Sequence, residues 1–300
     1  MPAADDLTFW GLFGPQPDYD YFADLDRYPF QPRAAGFDRV HAWRMADAAM
    51  LAYVVNREDI RARCVAAGFG DVGFFFREST HAYVAQSAEA AIVAFRGTDD
   101  YVDVLKDLQI VRTPSERGAQ VHTGFKESLE LVWGEMRPHL EKVRDSGRAL
   151  WFTGHSLGAA LATLAAGRID GSHVVYTFGS PRVGDKRYAR EFAAPVWRVV
   201  NNNDLVPHLP PPLFFRHVGQ LRFIDSRGRL RRARSVWTRL RHYFRGHRAR
   251  AREAIRRWKE GDLESLAYAG LIDHAPIEYA RRLRAPFTAE SPSHAEDSRS

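Results

Sequence analysis

Cysteine is nearly absent from this chain of 300 residues, in which Cys64 is the only one. A single cysteine excludes a disulfide within the chain and a metal cluster held by several thiolates. Apolar runs long enough to span a bilayer are also lacking, and residues 1–6 have neither the basic nor the apolar region of a secretory signal. We therefore expect a cytoplasmic or peripheral-membrane location. Secretion by a route without a cleaved signal is the alternative.

Acidic residues are nearly absent from one segment, residues 227–259. It holds fourteen Lys or Arg and one Glu, a net charge of +13. Because the whole chain carries +6, the remaining residues carry −7. The basic character is therefore a property of this segment and not of the chain as a whole.

The most informative motif is Gly154-His155-Ser156-Leu157-Gly158. An apolar run precedes it and an alanine-rich stretch follows it, which is typical of a buried strand that turns into a helix pressed against a sheet. A serine at such a turn projects its Oγ away from the backbone, and the flanking glycines keep strand and helix from colliding. The pattern predicts a nucleophile elbow, so Ser156 is the first candidate for covalent chemistry.

Short apolar runs alternate with stretches of helical periodicity along the chain. They predict strands at residues 82–86, 90–96, 149–154, 173–178 and 196–201, and helices at 40–55, 57–67, 124–144, 156–168 and 185–193. Such alternation predicts an α/β fold with a mostly parallel central sheet covered by helices on both faces. Ser156 would then lie at the carboxyl edge of a central strand, where open α/β sheets bind their ligands.

We expect a single domain over residues 1–288. It begins with an irregular, aromatic-rich arm at residues 1–37 and carries a basic helical insertion at 230–262, after a hairpin at 218–230. Residues 289–300 have the polar composition of a disordered tail.

A serine hydroxyl is a weak nucleophile unless a histidine takes its proton and a carboxylate orients that histidine. After an elbow of this kind the acid comes first in the chain and the histidine second. Asp204 is the favoured acid, because it follows the strand at 196–200 and so lies at the same edge of the sheet as Ser156. His274 is the favoured histidine, in a turn before a final helix, and His208 is a less direct alternative because it is close to Asp204 in the chain. The other candidates are Asp170, Asp185, Asp225, Asp262, Asp273, His217, His242, His247 and His294.

Acyl transfer also needs hydrogen-bond donors for the oxyanion, usually the amide after the nucleophile and one from an earlier loop. Leu157 supplies the first amide. Thr98 is the predicted second donor, because the strand at residues 92–95 ends just before it at the same edge of the sheet.

Five segments in order resemble the class 3, fungal-type lipases. They are Phe95-Arg96-Gly97-Thr98, Val121-His122-Thr123-Gly124-Phe125, the Phe-Gly-Ser-Pro-Arg-Val-Gly-Asp block at 178–185, Asn203-Asp204-Leu205-Val206-Pro207, and Asp273-His274. The resemblance implies an α/β-hydrolase fold, hydrolysis of carboxylic esters of lipids, a triad of Ser156, Asp204 and His274, and no cofactor or metal.

The segment at the family's lid position departs from the family pattern. The lid usually follows the oxyanion loop and carries a large apolar residue such as tryptophan, whereas residues 99–105 are acidic and only moderately apolar. This difference favours short or soluble esters. We predict a triacylglycerol lipase or esterase, with phospholipase A1 or a short-chain carboxylesterase as alternatives, and an inactive membrane- or lipid-binding protein of the same fold as a further one.

The basic insertion at 230–262 has three interpretations. It is a solvated helical hairpin whose apolar stripe covers the mouth of the active site, or a basic amphipathic helix that lies on an anionic membrane, or a nucleic-acid-binding segment. The expected partners are thus a lipid or small ester substrate and an anionic membrane surface. Nucleic acid is the least favoured partner, because no recognised reading motif accompanies the arginines.

Overall fold

The computed structural model describes residues 13–14, 16, 18–97, 111–232 and 272–289. Its elements, in chain order, are α1 (Arg39–Leu51), α2 (Arg57–Ala66), β1 (Asp71–Arg77), β2 (Thr80–Gln86), β3 (Ala90–Phe95), β4 (Arg112–Pro114), β5 (Gln120–His122), α3 (Thr123–Asp145), β6 (Ala149–His155), α4 (Leu157–Arg168), β7 (Val174–Phe178), α5 (Lys186–Glu191), β8 (Val196–Asn201), β9 (Gln220–Ile224), β10 (Leu230–Arg232) and α6 (Pro276–Ala289). Short 3₁₀ turns occupy Val206–His208 and Ile272–His274.

Eight strands form one sheet in the order β1-β2-β3-β6-β7-β8-β9-β10. The five strands from β3 to β9 run parallel, and antiparallel strands extend the sheet at both edges. Strands β4 and β5 pair with each other in a separate small sheet. The mostly parallel sheet confirms the predicted α/β class.

Helices cover both faces of the sheet. All seven residues of β6 are buried, and alternate side chains enter different cores: Trp151 packs with residues of α1 and α6, whereas Leu150 and Phe152 pack with residues of α3 and α4. A strand buried on both faces needs apolar residues at every position, which explains the continuous apolar run around Ser156. Small side chains let α4 approach the sheet closely; its buried alanines are Ala159, Ala160, Ala162, Ala165 and Ala166.

Residues 18–37 form turns and pack aromatic side chains onto the face that α1 covers. The ring of Phe30 lies 4.7 Å from that of Trp151, whose Nε1 donates a 2.9 Å hydrogen bond to the carbonyl oxygen of Pro32. Trp197 Nε1 donates a 3.0 Å hydrogen bond to the carbonyl oxygen of Ala35. The segment therefore closes the core on this face.

Two charged residues of α1 form hydrogen bonds with the segment at residues 18–37. Arg44, which is buried, donates to the carbonyl oxygens of Ala23 and Tyr28. The buried Asp47 carboxylate accepts from Tyr19 Oη at 2.8 Å and from the Phe22 amide at 3.0 Å. Burial raises the pKa of Asp47 to about 7, so the fold carries a titratable group near neutrality.

Some elements differ from the sequence-based prediction. Strand β1 was not predicted, because Gly70, Asp71 and Gly73 interrupt its apolar pattern. Its two buried residues, Val72 and Phe75, pack into the cores on opposite faces of the sheet. Helix α1 ends at Leu51 and not at residue 55. Among the described residues, no helix is both long and apolar enough to cross a membrane.

Two predicted features lie mostly or wholly outside the described residues. Of the basic insertion at 230–262, the described part is β10, which pairs antiparallel with β9 as the second strand of the predicted hairpin. The tail at 289–300 contributes only its first residue, as the end of α6. The single-domain organisation stays a prediction.

Candidate active site

Ser156 lies in the turn between β6 and α4, with φ 57° and ψ −124°. A non-glycine residue with positive φ is strained, and such residues concentrate at functional sites. A Cβ on Gly154 would lie 2.3 Å from the carbonyl group of Gly158, and one on Gly158 would lie 2.3 Å from the carbonyl oxygen of Phe95. Both distances are far inside van der Waals contact, so the turn requires glycine at these two positions.

A chain of hydrogen bonds connects Ser156 with His274 and Asp204. Ser156 Oγ lies 2.9 Å from His274 Nε2, and His274 Nδ1 lies 2.8 Å from Asp204 Oδ2. All three residues are at most 2% exposed. When Nδ1–H donates to the carboxylate, Nε2 offers its lone pair to the hydroxyl, so the arrangement can take the proton of Ser156.

Asp204 has further donors besides His274. The Val206 amide donates to Oδ1 at 2.9 Å, and Tyr279 Oη donates to Oδ2 at 2.5 Å. Burial, and secondly the charge of Asp204, raise the pKa of Tyr279 well above its usual value, so this hydroxyl stays protonated and acts as a donor. Three donors therefore surround the buried carboxylate and suit its charged form.

The segments that carry Asp204 and His274 are braced against each other. Asp273 Oδ2 accepts from Asn202 Nδ2 at 2.9 Å and from the Asn203 amide at 3.2 Å, and Asn201 Nδ2 donates to the backbone oxygen of Asp273 at 3.0 Å. Because every member of this network lies within three residues of Asp204 or His274 in the chain, the network fixes the separation of the acid from the base.

Gly179 is a further close neighbour of this pair. It follows β7, has φ +60°, and an added Cβ would lie 2.7 Å from Asp204 Oδ2 and 2.8 Å from His274 Nδ1. The pair of side chains thus occupies space that only glycine leaves open.

Of the two predicted oxyanion donors, Leu157 lies among the described residues and Thr98 does not. Leu157 is the first residue of α4, and amides in the first turn of a helix lack intrahelical partners and point to where an anion can bind. Phe95, at the end of β3, pairs in parallel register with Gly154, so β3 ends at the same edge of the sheet as β6. The role of Thr98 stays a prediction.

The structure gives other positions to the remaining candidates. Asp170 pairs with Arg117 at the surface, Asp185 caps α5 by accepting from the Tyr188 amide, and Asp225 accepts from amides in the turn between β9 and β10. His208 is exposed and His217 contacts the carbonyl oxygen of Pro207. Asp262, His242, His247 and His294 lie outside the described residues.

Sequence reasoning did not find several residues that contact the triad. Tyr279 lies five positions beyond His274 in the predicted final helix. The sequence carried one signal for it, a tyrosine hydroxyl on the buried face of that helix. Tyr53 and His155 form a second chain of contacts to His274, with no signal in the motif itself. Each pairing joins residues far apart in the chain, so only the tertiary structure shows it.

Comparison with known proteins agrees with this geometry. The family described as lipase (class 3) matches residues 92–214, a range that includes Ser156 and Asp204. Over this range the chain is similar to the class 3 lipases. The lipase of Rhizomucor miehei is 36% identical over 162 residues, which are 47% of this chain and 44% of that protein. The secreted mono- and diacylglycerol lipase 1 of Fusarium solani is 38% identical over 118 residues, 36% of this chain and 35% of that protein.

Structural comparison extends this class 3 lipase match. The structure of Rhizomucor miehei triacylglyceride lipase aligns with a TM-score of 0.54 and 28% identity, covering 66% of this chain and 84% of that one. The fold is thus the α/β-hydrolase fold, as the resemblance implied. In sequence, the matches span less than half the length of the two curated relatives.

Proposed function

We propose that this protein, which is similar to the class 3 lipases, hydrolyses carboxylic esters of lipids, with Ser156 as nucleophile, His274 as general base and acid, and Asp204 as the residue that orients His274. The observation that carries the proposal is the buried chain of hydrogen bonds from Ser156 Oγ through both nitrogens of His274 to Asp204, at 2.9 and 2.8 Å. It starts at a strained turn, where a reactive hydroxyl is expected.

The first step forms an acyl-enzyme. His274 Nε2 takes the proton of Ser156 as Oγ attacks the ester carbonyl carbon, and the imidazolium is stabilised by Asp204. The amide of Leu157, with that of Thr98 as the proposed second donor, binds the oxyanion of the tetrahedral intermediate. His274 then gives its proton to the leaving alcohol oxygen as the carbon–oxygen bond of the ester breaks.

The second step releases the acid. His274 removes a proton from water, the water oxygen attacks the acyl carbon, and the bond to Ser156 Oγ breaks as the serine recovers its proton. The same donors stabilise the second oxyanion. Every proton that His274 accepts is returned, so the protein is unchanged after each turnover.

A panel of esters tests the substrate class. It runs from p-nitrophenyl butyrate through an emulsion of triacylglycerol to phospholipid vesicles, each with the wild-type protein and with Ser156→Ala. Relatives named as triacylglyceride lipase and as mono- and diacylglycerol lipase support glyceride esters. Turnover of phospholipid alone would favour phospholipase A1, turnover of only short soluble esters would favour a carboxylesterase, and no turnover of any ester would contradict the proposal.

We also propose that the basic segment at 230–262 brings the enzyme to an anionic membrane, in keeping with a peripheral-membrane location. Fourteen basic residues against one acid within 227–259 support this, because each Arg near such a surface contributes about 1 kcal/mol to binding. Sedimentation with vesicles tests it. Replacing Arg239, Arg241, Arg245 and Arg248 with glutamine should weaken binding to anionic vesicles, and unchanged binding would contradict the proposal.

A further inference from the structure

A second chain of hydrogen bonds ends on the backbone oxygen of His274. Tyr53 Oη lies 2.9 Å from His155 Nδ1, and His155 Nε2 lies 2.5 Å from the backbone oxygen of His274. Tyr53 and His155 are both buried. This chain ends on the backbone of the proposed base, and neither side chain has a part in the steps of ester hydrolysis described above.

The chemistry of the partners fixes the direction of each hydrogen bond. A carbonyl oxygen can only accept, so His155 Nε2 must carry a proton. Burial, and secondly the neighbouring His274, hold the pKa of His155 well below its usual value, so the ring is neutral. A neutral ring with a proton on Nε2 has a bare Nδ1, which leaves the Tyr53 hydroxyl as the donor.

His155 connects the nucleophile to the base. It precedes Ser156 directly in the chain, and its ring lies 4.5 Å from that of His274. The backbone of His274 is therefore tied, through one side chain, to the residue beside Ser156. Any shift of that backbone would change the 2.9 Å separation of Ser156 Oγ from His274 Nε2.

We propose that His155, protonated at Nε2, positions His274 against Ser156, and that Tyr53 fixes the orientation of the His155 ring by donating to its bare Nδ1. Tyr53 and His155 are positioning residues, and the inference rests on the proposed function of Ser156 and His274. The other tautomer would place a lone pair of Nε2 against the carbonyl oxygen, so that two buried acceptors would face each other with no proton between them.

The neutrality of His155 has its own consequence. His274 becomes an imidazolium in each step, and a second positive charge 4.5 Å away between ring centres would oppose it. A neutral donor can hold the backbone of His274 without this repulsion, which a lysine or arginine at position 155 could not do.

The tautomer of His155 can be measured without substrate. In protein labelled with ¹⁵N-histidine, the ring nitrogens of His155 are assigned from the signals missing in His155→Gln. We expect a bare Nδ1 and a protonated Nε2 in the wild type at neutral pH, and in Tyr53→Phe the same tautomer with the Nδ1 signal shifted by the loss of its donor. A ring protonated at Nδ1, a charged ring, or an Nδ1 signal unchanged in Tyr53→Phe would overturn the proposal.

Kinetics test the positioning role. Tyr53→Phe should lower kcat for p-nitrophenyl butyrate by about 10- to 100-fold, with KM nearly unchanged, because a misplaced catalytic group slows chemistry and not binding. Tyr83→Phe is the matched control: Tyr83 is equally buried and donates to the carbonyl oxygen of Ala48 at 2.9 Å. It should lower stability similarly and leave kcat unchanged; equal losses of kcat in both variants would overturn the proposal.

A double-mutant cycle separates the hydrogen bonds of His155 from packing. The glutamine amide of His155→Gln can donate at the place of Nε2 in any state of Tyr53, so this variant should recover most of the activity that His155→Leu loses. Tyr53→Phe should then have little further effect in the His155→Gln background, and fully additive losses would overturn the proposal. Failure of the proposed function would show differently, as absence of reaction between a fluorophosphonate and Ser156 in the wild type.

Discussion

Substitution of Gly179 by alanine tests the geometry of the site without changing any group that takes part in the chemistry. The added Cβ would lie 2.7 Å from Asp204 Oδ2 and 2.8 Å from His274 Nδ1. Ordinary contacts of a methyl carbon are about 3.4 Å or longer, so the two side chains must move by roughly 0.6 to 0.7 Å. Movement in this direction stretches the hydrogen bond that orients His274.

We expect kcat/KM for p-nitrophenyl butyrate to fall about 100-fold, which corresponds to about 2.7 kcal/mol of lost transition-state stabilisation. The left-handed conformation at residue 179 costs alanine about 1 to 2 kcal/mol of stability besides. Thermal unfolding, followed by circular dichroism, shows whether the variant remains folded at the assay temperature.

Gly147→Ala is the matched control. Gly147 has φ +81° and nothing within 4 Å of an added Cβ, so it carries the same backbone cost without a clash near the triad. It should lose a similar amount of stability and keep its activity. If Gly179→Ala were folded and as active as Gly147→Ala, the packing of Asp204 and His274 against residue 179 would not matter for catalysis and the reasoning would be refuted.

Three further predictions follow from the same structure. Asp204→Asn should lower kcat by about 10³- to 10⁴-fold while the protein stays folded, because a neutral amide neither holds the Nδ1–H tautomer of His274 nor stabilises its charge; stopped assays with concentrated enzyme check this, and a loss under tenfold would contradict it. Tyr279→Phe should lower kcat about tenfold, since it removes one donor from the Asp204 carboxylate, and an unchanged kcat at unchanged stability would count against that role. The pKa of Asp47 is raised to about 7, so between about pH 4 and 7 the folded state keeps a proton that the unfolded state has lost. The contribution of Asp47 to the free energy of unfolding should therefore fall by up to about 4 kcal/mol across this window and level off above it. Urea titrations should show a flatter dependence of this free energy on pH in Asp47→Asn than in the wild type.

The order of local motifs was sufficient to predict the parallel sheet and the spatial grouping of the main site residues. A buried strand must be apolar at every position, and a turn pressed between strand and helix must have glycine at fixed places. The structure around Ser156 can therefore be predicted from the local sequence alone. Asp204 could be chosen because it follows a predicted strand that ends at the same edge of the sheet as Ser156, and His274 because it lies in a turn before the final helix. Edge strand β1, in which Val72 and Phe75 are the buried residues, has a weaker pattern and was missed.

The residues that support the triad could not be predicted in this way. Tyr279 reaches Asp204 across 75 positions of the chain, and Tyr53 reaches His155 across 102. Their side chains are ordinary members of amphipathic helices or turns by sequence, and their roles arise only when separate elements pack. Gly179 is similar, because the atoms that forbid a Cβ there belong to Asp204 and His274.

Covalent labelling tests most directly whether Ser156 Oγ is the nucleophile. The wild-type protein, Ser156→Ala and a control with a distant serine replaced, Ser172→Ala, are treated with a fluorophosphonate probe, and the labelled peptide is identified by mass spectrometry while hydrolysis of p-nitrophenyl butyrate is followed. We expect one probe per chain on Ser156, complete loss of turnover on labelling, and neither label nor turnover in Ser156→Ala. Turnover at the wild-type rate in Ser156→Ala would contradict the proposed mechanism.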